Sequence, residues 1–225
     1  MREMPEELND NVILYGDPGA EIILLQMVDD HDLEEIGSEI SYIDGHSGGR
    51  RYLLCACRAS DWNRDLSPWE APPVFGKEGF GGRAGETLSR LQEEVLPGIP
   101  GGTEGKKIVI GGYSLSGLFA MWAAHQTDIF SGVAAASPSV WFPGFAAYAR
   151  EDRILADVVY LSLGDREEKT KNRVMASVGE SIRSLAEHYP HTGVSACTLE
   201  WNEGGHFRDA GIRCGKAFAW VIDRV

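Results

Sequence analysis

Short apolar runs alternate with amphipathic helical patterns along most of this chain. An apolar run of four to eight residues is typical of a strand buried on both faces, and strand–helix alternation is typical of βαβ units. The sequence therefore predicts an α/β fold, with a mostly parallel central sheet covered by helices on both faces. The predicted strands are 12–15, 22–28, 52–57, 108–110, 133–136, 158–163 and 194–199. The predicted helices are 32–43, 84–96, 118–125, 174–188 and 209–225.

One segment lacks this alternation. Residues 58–83 are rich in proline, glycine and tryptophan and show no periodicity, which predicts a long ordered loop. No repeat or interdomain linker interrupts the pattern, so we predict a single domain over residues 1–225. A chain of 225 residues has room for the sheet and its covering helices but little room for a large lid domain.

The charge and cysteine content exclude several classes of protein. Lys and Arg total 21 against 34 Asp and Glu, a net charge of −13, which disfavours nucleic acid and anionic membranes as partners. The polar N-terminus has no apolar core of signal-peptide length, and no apolar run reaches about 18 residues. The four cysteines form no C-x-x-C pair and are predicted to be reduced in a cytoplasmic protein. No residue pattern implies a metal or a cofactor.

The strongest chemical signal is Gly112-x-Ser114-x-Ser116, which lies between a predicted strand and a predicted helix. A sharp turn in this context lifts the serine hydroxyl above the edge of the sheet, which is the geometry of a nucleophile elbow. The helix N-terminus favours negative charge, and the backbone N–H of Leu115 would face an oxyanion. The last position of the motif is usually glycine, but serine is small and we expect the turn to form. A glycine-rich turn without chemistry is the alternative.

A second segment matches the letters of this motif. Gly45-x-Ser47-x-Gly49 follows a predicted helix and precedes a predicted strand, the reverse of strand–turn–helix. We interpret it as a glycine-rich connection.

A serine nucleophile needs a neighbouring base, and in hydrolases with this elbow an acid and then a histidine follow the serine along the chain. His206 lies in a glycine-rich loop just before the last predicted helix and is the predicted base. The acid is expected after the strand 158–163. Asp165 and Glu167 are the candidates, with a slight preference for Glu167 because of its Gly-x-x-acid spacing, and Glu168 or no acid are the remaining alternatives.

Two further parts of a site can be placed by sequence. The loop after strand 22–28 is expected to supply a second oxyanion N–H from the backbone of Val28 and Asp29, with Asp32 as an N-cap of the next helix. Four aromatic residues follow predicted strands, at the edge where α/β sites open, and are candidates for an acyl or aryl pocket, with loop packing as the alternative. They are Trp62, Trp69, Trp141 and Phe142.

Four segments in order, 61–69, 111–123, 162–172 and 203–207, resemble a bacterial esterase family of α/β-hydrolases related to esterase D and to the enterobactin-type siderophore esterases. The resemblance runs from about residue 22 to the end of the chain. It implies an α/β-hydrolase fold without a large lid, and hydrolysis of carboxylic esters by a serine nucleophile. Some siderophore-esterase relatives use a Ser–His dyad, and many have Asp-Gly where this chain has Asp29-Asp30.

Carried over onto this chain, the resemblance implies Ser114 as nucleophile, His206 as base and Asp165 or Glu167 as acid. The expected substrate is a small or siderophore-like ester, cleaved through an acyl-enzyme intermediate. Another acyl hydrolase, such as a thioesterase or peptidase, and a non-catalytic binding protein of the same fold are the rival functions. The sequence leaves the oligomeric state open, a homodimer included.

Part of the negative charge is expected to lie around the catalytic edge of the sheet. Several acidic residues fall in loops predicted to surround the catalytic edge of the sheet, so anionic esters should be poorer substrates than neutral or cationic ones. These residues are Asp29, Asp30, Asp32, Asp165, Glu167 and Glu168.

Overall fold

The fold is described from a computed structural model, which covers residues 6–9 and 11–225. The strands are β1 (Glu6–Asn9), β2 (Val12–Gly16), β3 (Ile22–Val28), β4 (Leu53–Arg58), β5 (Glu70–Ala71), β6 (Phe80–Gly81), β7 (Lys107–Tyr113), β8 (Gly132–Ala136), β9 (Val158–Gly164) and β10 (Ala196–Asn202). The α-helices are α1 (Asp30–His46), α2 (Trp62–Asp65), α3 (Ala84–Arg90), α4 (Leu96–Gly98), α5 (Ser114–Gln126), α6 (Phe145–Glu151), α7 (Arg173–Ala176), α8 (Val178–His188) and α9 (Ala210–Ile222). A π-helical turn spans Leu91–Val95, and 3₁₀ turns span Glu167–Lys169 and Tyr189–His191.

Eight strands form one sheet in the order β1-β2-β4-β3-β7-β8-β9-β10. Strands β4, β3, β7, β8, β9 and β10 run parallel to one another. At one edge of the sheet, β2 pairs antiparallel with β4, and β1 pairs antiparallel with β2. Every residue of β3 and of β9 is buried, as expected for parallel strands covered on both faces. The predicted α/β fold with a mostly parallel sheet is confirmed.

Alternate residues of each strand feed two separate cores, because successive side chains of a strand point to opposite faces. In β3, Ile22 and Leu24 pack with apolar residues of α1 and α9, whereas Ile23 and Leu25 pack with those of α3, α5, α6 and α8. The helices therefore cover both faces of the sheet.

Helices α1 and α9 pack unusually closely. A Cβ atom at Gly211 would lie 2.6 Å from the carbonyl oxygen of Glu35, and one at Gly215 would lie 2.8 Å from that of Glu39. Only glycine allows this approach of two backbones. The contact sets the position of α9, and with it the loop that carries His206.

The structure corrects several predicted boundaries. Residues 58–83 are not a continuous loop, since they contain α2 and the β5–β6 hairpin. The predicted helix 174–188 is interrupted at Ser177, and the predicted helix 84–96 contains the π-helical turn. Strand β7 continues three residues beyond the predicted 108–110. The sequence did not predict this extension, because the glycine-rich end of the strand lacks the apolar side chains that mark a strand. Helix α6 and strand β1 are too short to show periodicity and were not predicted.

None of the helices in residues 6–9 and 11–225 combines the length and apolarity needed to cross a membrane. The four cysteines are free thiols; Cys55, Cys57 and Cys214 are buried, and Cys197 is half-buried.

Candidate active site

The sharp turn between β7 and α5 is formed. Ser114, the first residue of α5, has φ +56°, a left-handed conformation that is uncommon for a residue with a side chain. A Cβ atom at Gly112 would lie 2.0 Å from Oγ of Ser116, so the motif needs glycine there. The Ser116 hydroxyl donates to the carbonyl oxygen of Met27 at 2.8 Å, which ties the elbow to the end of β3. Serine at the last position therefore preserves the turn, as expected.

Three side chains, each following a different strand, meet at the carboxyl edge of the sheet. Oγ of Ser114 lies 2.9 Å from Nε2 of His206, and Nδ1 of His206 lies 2.7 Å from Oε2 of Glu167. The His206 side chain is 23% exposed and the Glu167 side chain 5% exposed, so the carboxylate is shielded from water while the imidazole is partly accessible. Such an arrangement can take a proton from the serine hydroxyl and stabilise the resulting imidazolium.

The second oxygen of Glu167 is held by three donors. Its Oε1 accepts from the backbone N–H of Gly164 at 2.7 Å, from Oγ of Ser137 at 2.9 Å and from Nη1 of Arg213 at 3.0 Å. Burial alone would raise the pKa of Glu167, but the hydrogen bonds from His206, Gly164 and Ser137 lower that pKa below its usual value. The carboxylate is therefore ionised and fixed in orientation.

Arg213, which the sequence did not single out, joins the loops of the site. It is 1% exposed and lies in α9. Its Nη2 donates to the carbonyl oxygens of Glu203 and Gly205 at 3.0 and 3.1 Å, and its Nη1 also contacts the hydroxyl of Tyr113 at 3.1 Å. The Tyr113 hydroxyl in turn donates to the carbonyl oxygen of His206 at 2.6 Å. One buried guanidinium thus connects the elbow, the acid loop and the histidine loop.

The other two acid candidates lie elsewhere. Oδ1 of Asp165 accepts from the backbone N–H of Gly204 at 2.7 Å, so this carboxylate supports the histidine loop rather than the ring of His206. Glu168 forms an ion pair with Arg183 at 2.6 Å. Of the three acid candidates, Glu167 is the one whose carboxylate contacts the imidazole of His206.

The predicted oxyanion donors differ in whether their backbone N–H groups already have a hydrogen-bond partner. Leu115 is the second residue of α5, where a backbone N–H has no partner within its helix. The N–H of Asp29 instead donates to Oδ2 of Asp32 at 3.1 Å, and the N–H of Asp32 donates to Oδ1 of Asp29 at 2.9 Å. This reciprocal capping box corrects two expectations, because Asp29 rather than Asp32 is the N-cap of α1 and its N–H is already engaged. Val28 is the last residue of β3 and directly precedes this capping box, and its role as an oxyanion donor stays a prediction.

Burial and the neighbouring Asp29 carboxylate raise the pKa of Asp32 to about 7.

Three of the four predicted pocket aromatics, Trp69, Trp141 and Phe142, pack against other aromatic rings. Trp69 donates from Nε1 to the carbonyl oxygen of Pro143 at 2.9 Å, and its ring lies 5.6 Å from that of Phe142. Phe142 is 1% exposed and belongs to the core, so it is corrected from a pocket residue to a packing residue. Trp141 is also buried, and its ring lies 5.9 Å from that of Phe75, which is half-exposed.

Trp62, at the start of α2, is partly buried against the same core.

Ser47, the serine of the second motif, is remote from this site. It lies in the connection between α1 and β4, at the amino end of β4, and lines a groove of about 580 Å³ with Gly49, Arg51 and Tyr52. Its Oγ is directed at the carbonyl oxygen of Arg50, at 3.4 Å. The structure agrees with its interpretation as a connection.

No group of three or more His, Cys, Asp and Glu side chains in residues 6–9 and 11–225 is arranged to hold a metal ion.

No protein-family model matches the chain, and no curated protein matches its sequence. Solved structures do resemble it. The siderophore hydrolase EstA from Aspergillus nidulans is 17% identical with a TM-score of 0.73, covering 94% of this chain and 89% of that chain. An IroE-like serine hydrolase from Shewanella oneidensis is 17% identical with a TM-score of 0.75, covering 94% and 75%. The enterobactin esterase FES from Shigella flexneri is 16% identical with a TM-score of 0.62, covering 93% and 55%.

These similarities, together with the order of the strands and the elbow after β7, show that the chain has the α/β-hydrolase fold. The described residues include no large lid domain over the carboxyl edge of the sheet.

Proposed function

We propose that this protein is a serine esterase that hydrolyses carboxylic esters through an acyl-enzyme intermediate. The observation that carries the proposal is the hydrogen-bonded series Ser114–His206–Glu167, with the serine on a left-handed turn at the N-terminus of α5. A plain glycine-rich turn needs no aligned histidine and no buried carboxylate behind it. The names of the similar structures, which are esterases and hydrolases, support the same chemistry.

The proposed reaction has two steps. Ser114 Oγ attacks the ester carbonyl carbon while Nε2 of His206 takes its proton, and the N–H of Leu115 stabilises the oxyanion. The C–O bond to the alcohol then breaks as His206 returns the proton to the leaving oxygen. A water molecule next attacks the acyl carbon and gives its proton to His206, which passes it to Ser114 Oγ as the carboxylic acid leaves.

The proposed substrates are small or siderophore-like esters. The similar structures include proteins named siderophore hydrolase and enterobactin esterase. Ser114 and His206 are both partly exposed, so an ester group on a large molecule can reach them.

Labelling with a fluorophosphonate probe tests the nucleophile, with Ser114→Ala as the test variant and Ser47→Ala as the matched control. The wild type and Ser47→Ala should be labelled and should hydrolyse p-nitrophenyl acetate. Ser114→Ala should do neither, because the attacking oxygen is gone.

The other outcomes separate the rival functions. A wild-type protein that is neither labelled nor active on p-nitrophenyl acetate, butyrate or octanoate would be a binding protein. Labelling that persists in Ser114→Ala would assign another serine. Preference for thioesters or peptides over oxygen esters would identify a different acyl hydrolase.

A further inference from the structure

One short loop contacts both ends of the proposed triad. Residues 137–139 follow β8, and their two serine hydroxyls point in different directions. Oγ of Ser137 donates to Oε1 of Glu167 at 2.9 Å, whereas Oγ of Ser139 lies 3.3 Å from Oγ of Ser114. Ser139 is 1% exposed, so its hydroxyl is directed at the nucleophile from inside the protein.

The direction of the Ser139 hydrogen bond follows from counting protons. The ionised Glu167 carboxylate can only accept, so the proton of the neutral imidazole is on Nδ1 of His206 and Nε2 is the acceptor. The single proton of Ser114 is then directed at Nε2. The proton between the two serine oxygens therefore comes from Ser139, which donates to Ser114 Oγ.

The Ser139 backbone is fixed to the elbow. Its N–H donates to the carbonyl oxygen of Ser114 at 2.9 Å, and its own carbonyl oxygen accepts from the N–H of Phe142 at 2.9 Å. Ser137 has φ +44°, a strained conformation that the surrounding structure maintains. Pro138 packs against the elbow helix, where a Cβ at Gly117 would lie 3.2 Å from its Cβ. The donor is therefore held in place before substrate arrives.

We propose that the Ser139 hydroxyl is a further catalytic group, which donates a hydrogen bond to the nucleophilic oxygen of Ser114 and stabilises negative charge on it. This inference rests on the proposed esterase function. Charge develops on Ser114 Oγ twice: when His206 removes its proton, and when the acyl-enzyme breaks down and Oγ is the leaving atom. Ser139 keeps its own proton throughout, and His206 carries out every proton transfer.

The distance explains why this contact favours the transition state. At 3.3 Å the bond is longer than the 2.7–2.8 Å usual for O–H···O, so it is weak while Ser114 is neutral. Hydrogen bonds to charged oxygen are shorter and stronger. The interaction gains most when charge is present, which is the condition for a rate effect.

The test compares Ser139→Ala with the matched control Ser47→Ala, which removes an equally buried hydroxyl at the opposite edge of the sheet. In Ser139→Ala, kcat for p-nitrophenyl acetate should fall roughly ten- to a hundredfold with KM unchanged. The rate of fluorophosphonate labelling should fall by a similar factor, because that reaction needs the same charged oxygen. Ser139→Cys, with a weaker donor, should lie between wild type and Ser139→Ala. Ser47→Ala should match the wild type in kcat, in KM and in the rate of fluorophosphonate labelling.

Wild-type or faster labelling and hydrolysis by Ser139→Ala would overturn the inference. A raised KM with unchanged kcat, or a loss of activity that follows a large drop in the thermal unfolding midpoint, would also overturn it in favour of a structural role. Ser114→Ala is assayed beside it. If that variant is still labelled, the assignment of Ser114 as the nucleophile fails as well; if only Ser139→Ala behaves as wild type, the esterase proposal stands without this residue.

Discussion

At the scale of single residues, two carboxylates two positions apart have different surroundings. Glu167 accepts hydrogen bonds from His206, Gly164, Ser137 and Arg213, whereas Asp165 accepts from the backbone of Gly204. Both follow the same strand, so sequence position gave only a slight preference between them. What distinguishes them is the direction of each side chain, which depends on its hydrogen-bond partners. For Glu167, these include Ser137 in the loop after β8 and Arg213 in α9.

Glu167→Gln and Asp165→Asn separate these two roles. Glu167→Gln should lower kcat by roughly 10²- to 10⁴-fold, because a neutral amide does not stabilise the imidazolium or fix its tautomer. It should also cost about 3–5 kcal/mol of stability, since it leaves the Arg213 guanidinium buried without its partner charge. Asp165→Asn keeps an oxygen to accept from Gly204 and should change kcat by less than about tenfold.

Steady-state kinetics on p-nitrophenyl acetate and urea denaturation of both variants measure these effects. A larger loss of kcat in Asp165→Asn than in Glu167→Gln would show that the acid role was assigned to the wrong residue.

At the scale of elements, α1 carries a carboxylate into the interior of the protein. Glu39 is 1% exposed, and its Oε2 accepts from Nε2 of Gln26 in β3 at 3.3 Å. Oε1 of Glu39 and Oε1 of Gln26 have no hydrogen-bond partner in the described part of the chain. Burial raises the pKa of Glu39 to about 8, with a smaller contribution from the carboxylate of Asp32. A protonated Glu39 suits this environment, because it can donate to an otherwise unpaired oxygen.

The raised pKa predicts how stability changes with pH. An unfolded glutamate has a pKa of about 4.3, so the contribution of Glu39 is full below that pH and is lost as pH rises toward 8. Glu39→Gln keeps the shape and supplies a permanent donor. It should raise the free energy of unfolding at pH 8.5 by about 1–3 kcal/mol and change it little at pH 4.5.

Urea denaturation at the two pH values measures this difference, with Glu34→Gln as the control on the exposed side of the same helix. An equal effect of Glu39→Gln at both pH values would contradict a buried, protonated Glu39.

At the scale of the whole molecule, the net charge of −13 includes acidic residues that were expected to surround the catalytic edge, and several of these have partners. Asp30 pairs with Arg58, Glu168 with Arg183 and Glu167 with Arg213, while Asp29 and Asp32 cap α1 together. Much of the local charge near the catalytic edge is thus paired. Any discrimination against anions then comes mainly from the field of the whole protein, which salt screens.

The preference for uncharged esters stays a prediction. At about 10 mM salt, kcat/KM for an anionic p-nitrophenyl hemisuccinate should be roughly three- to tenfold lower than for neutral p-nitrophenyl butyrate. The ratio should approach its salt-independent value at about 0.3 M salt, where the Debye length is shorter than about 8 Å. A ratio that does not change with salt would remove this explanation.

The order of strands and helices was determined by the sequence itself, because burial on two faces leaves apolar runs and one-sided burial leaves helical periodicity. The same is true of the elbow, since Gly112, Ser114 and Ser116 lie within five consecutive residues and act through local backbone geometry. Where glycine replaced apolar residues, as at the end of β7, the pattern weakened and the boundary was missed.

Tertiary structure alone decided which acid contacts His206, that the Asp29 N–H is already bonded, and that Ser139 and Arg213 belong to the site. The Ser139 and Arg213 contacts join residues 25 and 46 positions apart in the chain. No spacing rule encodes such contacts, because they depend on how β8, β9 and α9 pack around the sheet. The sequence could therefore supply a nucleophile and a base as candidates, while their hydrogen-bonded surroundings arise only when the separate loops meet.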